Sequence, residues 1–117
     1  MDNAIMIKED GTIFSFQLDN WEESDLAKVL ETEAVERVWS HSLIAFGASC
    51  QVAVMGYVDK GAAGRGKLMN TLAGKLLEMP VYGGLLLTYW DSHQMTCGAL
   101  EPQEVAKITN TLRKMSQ

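Results

Sequence analysis

Gln51-Val52-Ala53-Val54-Met55-Gly56-Tyr57-Val58 and, further on, Gly83-Gly84-Leu85-Leu86-Leu87-Thr88-Tyr89-Trp90 carry apolar side chains at odd and even positions alike. A strand with one wet face alternates. These two runs therefore read as strands covered on both faces and central in a sheet. Between them Leu68, Leu72, Leu76 and Met79 share a stripe at helical spacing, widened by Met69, Ala73 and Leu77. Pro80 ends that helix, because proline has no N–H to continue it.

Nearer the N-terminus, Ala4 to Lys8 and Thr12 to Leu18 read as two strands joined around Glu9-Asp10-Gly11, where Asp-Gly is a strong hairpin signal. In the second of them Phe14, Phe16 and Leu18 alternate with Ser15 and Gln17, so one face is buried. Asn20 begins a helix, with Glu23 three residues on as the other half of a capping-box variant. Leu26, Val29 and Leu30 supply its apolar stripe, and it ends near Thr32. Val35 to Phe46 returns to strand pattern in two pieces around Ser40-His41-Ser42. The last helix starts at Pro102, which suits a first turn, and Val105, Ile108, Leu112 and Met115 form its stripe. The expected fold is a compact single α+β domain over residues 1–117, with a mixed or antiparallel sheet of about five strands and three helices. An exposed edge strand at Ala4–Lys8 could pair with a second copy to give a homodimer.

Composition narrows the class. The 117 residues are 47% hydrophobic and 21% charged, which is globular rather than disordered. No apolar run approaches the ~20 residues that span a bilayer. Met1-Asp2-Asn3 lacks the basic-then-apolar pattern of a signal peptide, so the expected location is the cytoplasm. Cys50 and Cys97 are too few and too far apart for a metal site or a disulfide framework; both read as buried thiols, and no metal or cofactor is expected. The net charge of −5 argues against general nucleic-acid binding, which needs a basic face to replace phosphate counterions. It suits a partner with a basic surface.

The charges are unevenly placed. Asp19, Glu22, Glu23, Asp25, Glu31, Glu33 and Glu36 crowd into one segment, whereas residues 60 to 75 carry four cations and no acid. A solvated helix face is the simplest reading of the acidic cluster, and a surface that meets a basic partner is the sharper one. Trp21, at the head of that helix, could pack down as a staple or stand out as an interface anchor.

Gly61-Ala62-Ala63-Gly64-Arg65-Gly66-Lys67 comes close to a phosphate-binding loop, which reads G-x-x-x-x-G-K followed by Ser or Thr. Gly61, Gly66 and Lys67 fit, but Leu68 follows and has no hydroxyl for a magnesium ion. The first reading is a connector with exposed cations. The second is anion or nucleotide binding without hydrolysis, by backbone N–H groups at the start of the next helix together with Arg65 and Lys67. His41 and His93 lie near Ser40, Ser42, Ser92 and Asp91, but no spacing specifies a catalytic set, so the chain is read as a non-enzyme. Asp91-Ser92-His93 reads as a turn after a buried strand.

Gly66-Lys67-Leu68-Met69-Asn70-Thr71-Leu72-Ala73, followed by Pro80-Val81-Tyr82-Gly83-Gly84-Leu85-Leu86-Leu87-Thr88, resembles a family of small proteins of phages and mobile elements. The opening hairpin and the acidic helix look similar too. The resemblance implies an accessory gene product, and small acidic products of this kind include inhibitors of bacterial defence systems, anti-CRISPR proteins among them. The expectation is a non-catalytic inhibitor that binds a host defence protein through Trp21, Glu22, Glu23 and Asp25. The alternative is a binder that sequesters a phosphate-bearing or nucleotide signal at Gly61, Gly64, Arg65, Gly66 and Lys67.

Overall fold

The computed structural model describes residues 1–40, 43 and 53–117. Among these the elements are β1 (Ala4–Ile7), β2 (Ile13–Phe16), α1 (Glu23–Val29), β3 (Val35–Val38), β4 (Val54–Asp59), α2 (Thr71–Leu77), β5 (Leu85–Asp91), β6 (Thr96–Gly98) and α3 (Pro102–Met115). The strands form one antiparallel sheet in the order β2-β1-β5-β4-β3. β1 lies along Leu85–Leu87 of β5, and β6 takes over along Tyr89–Asp91. The expected α+β domain of three helices and an antiparallel sheet is the one observed.

Both sheet faces are covered because successive strand residues point opposite ways. Ile5, Ile7, Val54, Val58, Leu85 and Leu87 pack beneath Leu72, Leu76, Ile108 and Leu112 of α2 and α3. On the other face Ala4, Met6, Tyr57 and Leu86 meet Leu26 and Leu30 from α1 and the residue that caps it. The doubly apolar runs of β4 and β5 follow from this three-layer arrangement.

Several expectations need correction. Ala4–Ile7 is an interior strand between β2 and β5; among the described residues β2 and β3 end the strand order, and the short β6 pairs with β5 alone. The first helix is capped by Glu22 rather than Asn20, with the Asp25 carboxylate accepting from the Glu22 N–H at 3.2 Å. The second helix starts at Thr71, not Leu68. Leu68 and Met69 are exposed and extended, because Asn70 N–H donates to Val81 and Gly83 N–H donates to Leu68. Strand β6 was not expected. The second half of the Val35–Phe46 pattern lies outside the described residues, except for Leu43, which is helical and fully buried.

Two local devices set the hairpin and the helix that flank the sites below. The β1–β2 hairpin closes with Gly11 N–H donating to Lys8 and Lys8 N–H donating to Thr12. Gly11 sits at φ +90°, the left-handed position that such a loop reserves for glycine. Asn70 is fully buried and caps α2: its Oδ1 accepts from Ala73 N–H at 3.0 Å, while Nδ2 donates to the Ile7 and Gly83 carbonyls.

Candidate functional site

The glycine-rich loop is organised around Asp59, the last residue of β4. Its side chain is fully buried. Oδ1 accepts from the Arg65 guanidinium, from Gly61 N–H at 3.1 Å and from the Thr32 hydroxyl at 2.7 Å. Oδ2 lies 2.7 Å from Lys67 Nζ, which also donates to the Leu30 carbonyl at 3.0 Å. One buried carboxylate thus ties the loop to the connection between α1 and β3. A charge removed from water needs such partners, and here it has two cations and two neutral donors.

This arrangement bears directly on Gly61, Gly64, Arg65, Gly66 and Lys67. Both cations contact Asp59, Lys67 mostly buried and Arg65 half exposed. The loop amides are also engaged: Arg65 N–H donates to Gly61, Gly66 N–H to Ala63, and Lys67 N–H to Ala62. The expected set of free amides at a helix start is absent here, because Asn70 caps a helix that begins four residues after Lys67. A phosphate at this loop would compete with Asp59 for the same two cations.

The acidic region is arranged differently. Glu22 and Glu23 are exposed, as are Asp19, Glu31, Glu33 and Glu36. The two ion pairs found among the described residues both belong to Asp59, so these carboxylates have no ion-pair partner there. Asp25 is half-buried and turned back to cap α1. Trp21 is half-buried against the Leu26–Leu30 cluster, and its carbonyl accepts from the Cys97 thiol at 3.4 Å. The structure therefore brings Trp21, Glu22, Glu23 and Asp25 together, with Glu22 and Glu23 exposed, Asp25 turned back onto the helix end and Trp21 packed against the Leu26–Leu30 cluster.

Beside α1 runs a groove of about 470 Å³, floored by Met6, Phe14, Phe16, Val29 and Leu30 and rimmed by Lys8, Glu9, Glu31 and Lys67. The alternation in β2 signalled an apolar face, but nothing in the sequence said that α1 is too short to cover it. Under α1, burial raises the pKa values of Tyr57 and Cys97. Arg37 stacks over Trp90, its guanidinium carbon 4.9 Å from the ring centroid.

Of the residues considered for catalysis, His93 and Ser92 are exposed in the β5–β6 turn, where the Asp91 carboxylate accepts from His93 N–H at 2.9 Å. Asp91 is the last residue of β5, paired with Thr96, and its carboxylate holds the turn that begins at Ser92. His41 and Ser42 lie outside the described residues. Ser40 donates to the Leu76 carbonyl at 3.2 Å. Among the described residues no three His, Cys, Asp or Glu side chains converge as a metal site, and no helix is long and apolar enough to cross a membrane.

No protein-family model, curated protein or solved structure matches this chain.

Proposed function

We propose that this is a non-catalytic binding protein that docks a basic, partly apolar surface of another protein against the α1 side of its sheet. The observation that carries the reading is the pairing of unbalanced exposed carboxylates with an incompletely covered apolar groove. Glu22, Glu23 and Glu31 have no ion-pair partner among the described residues, and Phe14, 39% exposed, lines the adjacent groove. Unpaired charge steers and selects a partner of opposite sign, while desolvated aromatic and aliphatic side chains supply most of the affinity. Inhibition of a bacterial defence component is the specific form that the phage-protein resemblance implies. The engagement of Arg65 and Lys67 by Asp59 favours this reading over capture of a phosphate-bearing signal.

Three baits test it in bacterial lysate: the wild type, Glu22→Lys/Glu23→Lys, and Arg65→Ala/Lys67→Ala. The expected result is one protein retained stoichiometrically by the wild type and by the folded loop variant, but lost from the reversal variant. Retention unaffected by reversal would exclude this surface. A phosphorylated metabolite that leaves only with the loop variant would transfer the function to Gly61–Lys67.

A further inference from the structure

Among the described residues, the strands that end the sheet order, β2 and β3, differ in how they present themselves to a neighbour. In β2, the bond from Lys8 N–H to the Thr12 carbonyl fixes the alternation along the hairpin. Phe14 and Phe16 exchange backbone bonds with β1, while the N–H and C=O groups of Ile13 and Ser15 point away from it. Gly11 to Leu18 contains neither a charged residue nor a proline, the usual means of blunting an open edge. Phe14 and Phe16 stand on one face with ring centroids 5.8 Å apart.

β3 is protected. Its outward backbone groups belong to Val35 and Arg37, since Lys60 N–H donates to Ala34. The two antiparallel self-pairings that overlap most of this strand set Glu36 against Glu36, or Arg37 against Arg37, of a second copy. Like charges directly opposite are destabilising.

We propose that β2 pairs antiparallel with β2 of a second copy, Ser15 facing Ser15 on the two-fold axis and each Phe14 facing the other copy's Phe16. The occupant is a second copy because the register is self-complementary. It sets the outward backbone groups of Ser15 against those of the other Ser15, with Ile13 opposite Gln17, and it gathers four phenylalanines on the α1 face. Phe14 and Phe16 then form non-hydrogen-bonded pairs, in which side chains approach most closely. A pairing this short buries less than the ~1,200 Å² of a standard stable interface, so the dimer is a weak one. Its dissociation constant falls on the order of 10 µM to 1 mM. The inference goes beyond the partner-binding reading; it uses none of the α1 carboxylates but shares Phe14 and Phe16 with the groove.

Sedimentation equilibrium over that concentration range tests it. The wild type is expected to dimerise as concentration rises. Phe14→Lys, a change at an exposed position, is expected to weaken the dimer at least about tenfold with an unchanged circular dichroism spectrum. In a Cys50→Ser/Cys97→Ser background, Ser15→Cys is expected to crosslink through residue 15 with a short bismaleimide, and Glu36→Cys is not. A wild type that stays monomeric throughout, a dimer undiminished in folded Phe14→Lys, or crosslinking at position 36 instead of 15 would each overturn the proposal.

Discussion

Asp59 is the residue on which the loop's geometry depends. An Asp59→Asn change keeps the shape but leaves Arg65 and Lys67 facing each other without a carboxylate between them. Removing one partner of a buried charge group is costly, and we expect a loss of about 3 kcal/mol in urea unfolding. Arg65 is half exposed, so Arg65→Ala should cost about 1 kcal/mol or less. Equal stability of Asp59→Asn and wild type would show that the carboxylate does not organise the loop. Glu104 gives a pH prediction at the same scale. Its Oε1 accepts from Glu101 N–H, capping α3, while buried Oε2 has no hydrogen-bond partner among the described residues. Burial raises its pKa above the ordinary 4.5. The protonated form is thus favoured in the fold: its contribution is complete below 4.5 and is lost as pH rises through the folded value. Glu104→Gln keeps the cap acceptor without the charge. Its melting temperature should exceed that of the wild type at pH 7 and converge with it in acid; a gap that widens in acid would refute the assignment.

At the scale of elements, Asn70 connects three of them: the start of α2, the end of β1 and the approach to β5. Asn70→Ala removes a helix cap and strands two buried carbonyls, a combined loss of about 3 kcal/mol. Asn70→Asp keeps the cap but turns an acceptor toward the Ile7 and Gly83 carbonyls, so it should be at least as damaging at neutral pH. Unfolding of both variants in urea checks this, and a stable Asn70→Asp would contradict the hydrogen-bond assignment. This junction also marks where sequence legibility ended. The cores of β4, β5 and α3 were plain because their apolar spacing is dictated by burial on known faces. The start of α2 was misplaced because Leu68 and Met69 extend its stripe numerically, while their backbone is claimed by Val81 and Gly83 from the next connection. The inward turn of Arg65 and Lys67 was hidden for a similar reason. Asp59 ends an apolar run and reads as a strand terminus, and only the fold shows that its carboxylate points under the loop toward Thr32. The Glu22-to-Asp25 spacing carries the same capping pattern as Asn20-to-Glu23, so spacing alone does not choose between them.

For the whole molecule, the decisive property is where charge is balanced and where it is not. Arg65 and Lys67 of the 60–67 loop are paired with an internal carboxylate, whereas Glu22, Glu23 and Glu31 are exposed without an ion-pair partner among the described residues, and Glu31 rims the groove lined by Phe14 and Val29. An acidic face of this kind accelerates encounter with a basic partner and makes it salt-dependent. The most direct test is the affinity between this protein and the partner retained by the wild-type bait, measured against salt concentration for the wild type and for Glu22→Gln/Glu23→Gln. The account predicts affinity about tenfold lower in the double variant at low salt, with a shallower salt dependence. Identical affinity and identical salt dependence in the two proteins would contradict it.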